Sequence, residues 1–224
     1  MIEEILPTTV VGVDTTEDPA DATLFPEEEE LIARAVDKRR REFTTARHCA
    51  RQAMAKLGVS PVAVTQGERG CPQWPEGIAG SLTHTNGYRG AALARTADVV
   101  TVGIDAEPHG PLPEGVLDAV SLPVERSWIS RSAPSAPDVH WDRLLFCAKE
   151  CVYKAWFPLT GRWLGFEDAH IEVDPAFGTF TARFLVPGAQ VDGRTLDGFS
   201  GRWMVQNGLI LAAITLERDQ IQIR

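Results

Sequence analysis

The sequence is poor in features that name a function outright. Its four cysteines, Cys49, Cys71, Cys147 and Cys151, form no C-x-x-C pair, which argues against a zinc ribbon. Cys147 and Cys151 are helix neighbours, but two soft ligands make a poor metal site. The four read as small buried thiols in a reducing compartment. No apolar run approaches the ~20 residues that span a bilayer, and the N-terminus shows no basic stretch followed by an apolar one. Basic charge is in deficit: 22 Lys and Arg face 31 Asp and Glu, for a formal net charge of −9. A nucleic-acid-binding surface is therefore not expected as a global property. These absences point to a cytoplasmic protein that engages neither membrane nor nucleic acid. The charge is uneven, however, with four glutamates at 27–30 and a basic run, Lys38, Arg39, Arg40 and Arg41, soon after.

What is present reads as an ordinary globular chain of 224 residues, 44% hydrophobic, enough for one large domain or two small fused ones. Pro26 and the following acids suit a helix start, and Leu31, Ile32, Ala35 and Val36 make an apolar stripe. A second helix holds Phe43, Ala46, Ala50, Ala53, Met54 and Leu57 and stops at Gly58. Whether one helix runs through 37–41 or breaks there is open. Residues 66–80 are loop-like, rich in Gly and Pro. Strands are expected at 78–83, 90–94 and 99–105, then at 170–173, 177–184, 201–205 and 209–215, with a helix from about 141 to 157. The fold class expected is α+β, two similar lobes each with a long helix and a small antiparallel sheet. The lobes would span 1–108 and 141–224, joined by a proline-rich loop at 109–140 that contains Pro111, Pro113, Pro123, Pro134 and Pro137.

Four short segments carry chemistry. In Gly103-Ile104-Asp105-Ala106-Glu107, strand periodicity puts both carboxylates on one face, and Gly103 lets a ligand or another backbone approach. Oxygen-only ligands suit Mg²⁺; a solvated strand end is the plainer alternative. In Ala148-Lys149-Glu150-Cys151-Val152-Tyr153-Lys154, Glu150 and Lys154 are an i, i+4 pair, usually a surface salt bridge. Their helix face also carries Phe146, Tyr153 and Phe157, so the helix is expected to pack on both sides with the pair at a cleft edge. Thr83 and His84, in Gly80-Ser81-Leu82-Thr83-His84, offer a hydroxyl and an imidazole able to grip a phosphate. Arg40, Arg47 and Arg51 fall on one helix face, with Arg47 at the flank of the apolar stripe.

Together these segments resemble the Sfp-type 4′-phosphopantetheinyl transferases, in their EntD-like branch. Gly103–Glu107 is similar to the family's G-[IV]-D-x-E, and Ala148–Ala155 to its K-E-x-x-x-K segment. Gly80–His84 is similar to the S-[IL]-[ST]-H. Arg40-Arg41-Glu42-Phe43 with Arg47-His48-Cys49-Ala50-Arg51 is similar to R-x-E-F…R-x-C-A-R. The stretch 141–163 is closest to the actinobacterial and mycobacterial type that activates polyketide and lipid carrier proteins. Departures are Cys147-Ala148 for Trp-Ser, Gln66 where some relatives carry lysine, and Cys71 for a polar residue.

The resemblance implies a magnesium-dependent enzyme (manganese as a substitute) that uses coenzyme A. Phosphopantetheine would pass to a serine of an apo acyl, peptidyl or aryl carrier protein, with 3′,5′-ADP released. Asp105, Glu107, Glu150 and the carbonyl of Ala106 would hold the metal. Glu150 would be the general base, and Lys154 would stabilise pyrophosphate oxygens, with Asp105 counted among the catalytic residues. Thr83, His84, Arg39 and Arg47 would bind phosphates, the 3′-phosphate among them, and Gln66, Glu68, Arg69 and Gly70 would line the adenine. The first lobe would then hold the basic helix, the adenine site and Asp-x-Glu, and the second the Lys-Glu-x-x-x-Lys helix. The 121–140 stretch would dock the carrier. Polyketide, nonribosomal-peptide and siderophore pathways are all compatible, and the family's fused-lobe members are typically monomers. A metal-dependent phosphohydrolase and a non-catalytic carrier-binding protein are the alternatives.

Overall fold

The computed structural model describes residues 1–133 and 136–222; Pro134, one of the prolines expected in the connecting loop, lies outside them. After a short 3-10 turn, β1 (Val10–Thr15) leads to α1 (Pro26–Leu31) and α2 (Asp37–Lys56). The helix does break before the basic run. Ile32 leaves helical geometry, and Val36 is extended and starts α2, so Ala35 and Val36 lie between helices. Gly58, at φ +69°, ends the turn after α2. The strands β2 (Ile78–Thr85), β3 (Tyr88–Arg95) and β4 (Val99–Pro108) follow.

The proline-rich stretch contains two helices, α3 (Val116–Val120) and α4 (Pro123–Ser132), where a loop was expected. Proline is tolerated in a first helical turn, and Pro123 opens α4 while the Glu125 carboxylate accepts the Leu122 N–H at 2.7 Å. Next come α5 (Trp141–Thr160), β5 (Ala169–Asp174), β6 (Thr179–Phe184), the small hairpin β7 (Ala189–Val191) and β8 (Arg194–Leu196), β9 (Gly198–Gln206), β10 (Leu209–Glu217) and α6 (Arg218–Gln222). β1, the β7–β8 hairpin and the short helices α3, α4 and α6 were not anticipated.

The fold is α+β, built in four layers. Sheet one has the order β1-β3-β2 and sheet two β4-β10-β9-β6-β5, all antiparallel. Each sheet carries one long helix. On α2, Cys49, Ala50, Ala53 and Met54 pack with Val13, Ile78, Ala91 and Leu93. On α5, Leu144, Ala148, Cys151, Val152 and Ala155 pack with Ile210, Ala212, Ile214 and Phe180. The two sheets meet through the alternate residues of the same strands, Ala92 and Ala94 against Val102, Ile104, Ala106, Leu211 and Ala213. Strand periodicity then decides the site: with the even residues of β4 turned to sheet one, Gly103, Asp105 and Glu107 face the α5 side. β4 is hydrogen-bonded along β10, with Ala212 opposite Asp105, so the Asp-x-Glu strand sits in the same sheet as the C-terminal strands.

Candidate active site

A cleft of about 330 Å³ lies between α2, β2, the 66–72 loop and α5. Arg39, Arg47, Gln66, Arg69, Gly70, Thr83, His84, Glu150 and Lys154 all line it, joined by Tyr153, Phe157 and Leu82. Nine predicted residues from four separate stretches thus meet in one space. Glu68 does not line it; its carbonyl accepts the Cys71 N–H at 3.1 Å and shapes the turn. That turn needs Arg69 at φ +53° and Gly70 at φ +76°, the region that glycine enters without penalty. Gln66 bridges Pro72 across the loop base, and the Arg69 guanidinium lies 5.0 Å from the Trp163 ring centre.

The basic wall differs from the expected one. Arg40 is taken up by the Ile32 carbonyl (2.8 Å) and Glu29 (2.7 Å), and Arg51 by the buried Glu28 (3.0 Å). Of the three arginines on that face only Arg47 reaches the cleft, because the α1 segment covers the other two. Arg47 is buried, stacks 3.2 Å from the Phe43 ring centre and donates to the Val64 carbonyl at 3.2 Å. Burial, opposed by Glu28 and assisted by Arg39 and Arg51, lowers its pKa to about 9. Arg39 comes from the neighbouring face and donates to His84 Nε2. Burial, with Arg39, Lys154, Arg89 and Arg47 around it, lowers the His84 pKa to about 4, so the ring is neutral at pH 7.

At the inner end, Asp105 is buried. Lys154 Nζ donates to Asp105 Oδ1 at 2.7 Å and to the Ile104 carbonyl at 3.0 Å. The i, i+4 pairing with Glu150 is thus not the closest contact of Lys154; its ion partner is a carboxylate 49 residues away. Burial alone would lower the Lys154 pKa, but Asp105 outweighs it and the net direction is upward. Thr83 Oγ1 donates to Asp105 Oδ1 at 3.3 Å and accepts the Ala106 N–H at 3.0 Å, and Ser81 Oγ accepts the Ile104 N–H at 3.1 Å. Glu107 is held by Arg143 at 2.9 Å.

The carboxylates sense one another. Burial and then Asp105 push both Glu107 and Glu150 upward, against Arg143 in the first case and Lys154 in the second. Among the described residues no group of three or more His, Cys, Asp or Glu is arranged to hold a metal ion as it stands. The donor chemistry nevertheless fits a hard cation. All the candidate ligands are oxygens, and Asp105 Oδ2 is buried without a hydrogen-bond partner, which is costly for a carboxylate unless something binds it. In a strand the N–H and C=O of one residue point to the same side. Since the Ala106 N–H goes to Thr83 and the Ile104 carbonyl to Lys154, the Ala106 carbonyl is directed to this edge as well.

Two site residues had escaped the sequence reading. Arg143 stands seven residues before Glu150 and eleven before Lys154, on the same face of α5, a spacing that could have flagged it. Glu42, buried and 3.5 Å from His84 Nδ1, lies three residues after Arg39. The cysteines behave mostly as expected: Cys49, Cys147 and Cys151 are buried and free, whereas Cys71 is half-buried at the cleft. No described helix is long and apolar enough to cross a membrane.

Comparison with known proteins identifies the family. The family model for the 4′-phosphopantetheinyl transferase N-terminal domain matches residues 27–94, and that for the 4′-phosphopantetheinyl transferase superfamily matches residues 101–199. The chain is 56% identical to the 4′-phosphopantetheinyl transferase Svp of Streptomyces mobaraensis, over 96% of this chain and 89% of that protein. It is 56% identical to Npt of Nocardia iowensis (96% and 99% covered) and 53% identical to PptT of Mycobacterium tuberculosis (96% and 98% covered), both also 4′-phosphopantetheinyl transferases.

Proposed function

The chain belongs to the 4′-phosphopantetheinyl transferases, and from that premise we propose how its cleft carries out the reaction. The enzyme transfers the 4′-phosphopantetheine arm of coenzyme A to carrier proteins. The observation that carries the assignment of parts is the convergence, in one cleft, of a basic wall on α2 and β2 with the Glu150–Lys154 edge of α5. Coenzyme A has two separated phosphate groups, and the cleft offers two separate grips.

Arg39, Arg47 and His84 bind the 3′-phosphate end, Thr83 supports Asp105 with its hydroxyl rather than the phosphate, and Gln66, Arg69 and Gly70 flank the adenine. Lys154, half-exposed to the cleft while anchored on Asp105, presents a fixed positive charge to the pyrophosphate and stabilises the oxygens that gain charge as the bond breaks. Glu150 accepts the proton of the carrier serine. Its carboxylate is pushed upward by burial and by Asp105, which strengthens it as a base. The serine oxygen attacks the β-phosphorus, and 3′,5′-ADP leaves. Asp105, Glu107, Glu150 and the Ala106 carbonyl would hold Mg²⁺, with Mn²⁺ as a substitute; when bound, the ion neutralises pyrophosphate charge.

The carrier docks against the 121–140 segment. We take the protein to work as a cytoplasmic monomer on acyl, peptidyl or aryl carriers of polyketide, nonribosomal-peptide or siderophore assembly. Incubation with coenzyme A, Mg²⁺ and a panel of apo carriers is the test. A gain of about 340 Da on the carrier, the mass of the arm, is expected. Release of phosphopantetheine without an acceptor would instead indicate a hydrolase.

A further inference from the structure

Glu42 has no role in the reading above, yet it is a buried acid at the basic end of the cleft. It lies one helical turn from Arg39 on α2, is 7% exposed, and has Oε2 3.5 Å from His84 Nδ1. Its other cation, Lys38, is solvent-facing and 3.9 Å away. On its opposite edge, His84 Nε2 receives a hydrogen bond from Arg39 Nη1. A guanidinium can only donate, so Nε2 carries the lone pair, and the proton of the neutral ring sits on Nδ1, facing Glu42.

The charges that face this ring are Arg39, Glu42 and Arg47 from α2, Arg89 from β3 and Lys154 from α5. Four are cations and Glu42 is the one anion. A phosphate monoester entering between His84 and Arg39 reverses that balance beside Nε2. The ring can then bind a proton at Nε2, with Nδ1–H still directed at Glu42.

We infer that Glu42 is a positioning residue of the phosphate grip: it orients His84 through Nδ1 and supports the imidazolium that forms when a phosphate monoester binds. This rests on the assignment of His84 to the 3′-phosphate. Binding of coenzyme A then takes up a proton from solvent near neutral pH, and binding of 3′-dephospho-coenzyme A, which lacks that phosphate, does not. Burial and the four cations already hold the free ring near pKa 4, which leaves the site room to gain a proton.

Calorimetric titration of the full chain at pH 7, in two buffers of different ionisation enthalpy, counts the protons. The inference requires uptake with coenzyme A and essentially none with the dephospho compound. Glu42→Gln should abolish that uptake and weaken coenzyme A binding about tenfold, with dephospho-coenzyme A binding little changed. Equal weakening of both ligands marks a structural role and overturns the inference. Absence of uptake in the unaltered protein overturns it as well, whether or not the variant folds. His84→Ala separates the two layers. If it still discriminates the two ligands, the 3′-phosphate assignment itself is wrong, and the inference falls with it. If it loses discrimination while Glu42→Gln keeps it, only the role of Glu42 fails.

Discussion

Gly103 on β4 lies directly against the Cys151 carbonyl of α5: a Cβ at position 103 would stand 2.3 Å from that oxygen and 2.9 Å from the Ala155 nitrogen. No side chain fits there, so the missing one sets the distance between strand and helix. Cys151 Sγ donates to the Gly103 and Ala212 carbonyls at 3.0 and 3.2 Å, and one turn further along α5 Lys154 reaches Asp105 at 2.7 Å. Gly103→Ala must push α5 outward. A stability loss of about 1–3 kcal/mol is expected from overpacking, measured by urea unfolding. Transfer activity should fall by more than the unfolded fraction accounts for. Activity near that of the parent would show that the spacing does not matter.

Asp105→Ala and Glu150→Ala should each lower transfer at least ~100-fold, with the circular dichroism spectrum retained. Asp105 anchors Lys154 and offers a buried, unpartnered oxygen; Glu150 is the proposed base. Near-full activity in either variant would remove that residue from the chemistry.

His84 makes the ligand-free protein acid-sensitive. Its folded pKa, about 4, lies below the ordinary 6.5, so between those values the unfolded chain binds the extra proton and stability falls with falling pH. Below about 4 both states are protonated and the loss levels off. His84→Gln should flatten the melting temperature against pH between about 6.5 and 4, relative to the parent. Superimposable profiles would mean that the ring is not buried as a neutral group.

Lys149 and Glu125 form an ion pair at 2.8 Å with side chains 2% and 1% exposed. Lys149 also donates to the Phe166 and Ala169 carbonyls, and Glu125 accepts from the Ile171 N–H. Removing one partner leaves a buried charge alone, so Lys149→Met should cost about 3–5 kcal/mol. The double variant Lys149→Met/Glu125→Leu should recover part of it. A single-variant loss under about 1 kcal/mol would mean that water reaches the pair.

Because Glu125 pins α4 to the core, deleting the proposed docking segment would damage the fold itself. Its exposed neighbour Val124, 52% accessible, is the cleaner probe. Val124→Asp should raise KM for the carrier several-fold and leave coenzyme A affinity unchanged; equal effects on both would argue against docking there.

Much of this protein was legible from local pattern. Alternation from Val99 onward placed Asp105 and Glu107 on one strand face, and the aromatic residues opposite the apolar side of α5 correctly marked a helix packed on two sides. Pro26 and Gly58 marked helix ends because their backbone preferences act within a few residues. Helix α4 was missed because Pro123 starts it, and a proline that opens a helix is not distinguished from one in a loop by composition alone; the six-residue strand β1 and the five-residue helix α3 are too short to show a clear period.

Residue chemistry and short-range geometry, written in the sequence, determined that carboxylates, a lysine, a histidine and arginines would be offered in phased segments, and the family they resemble. Which of them meet was decided only by tertiary structure. Pairing of β4 with β10 turns Asp105 toward Lys154 of α5, the α1 segment withdraws Arg40 and Arg51 from the cleft, and packing of α2 on sheet one brings Arg39 and Glu42 to opposite edges of His84. These contacts join residues tens of positions apart, and a period of two or 3.6 residues carries no information at that range.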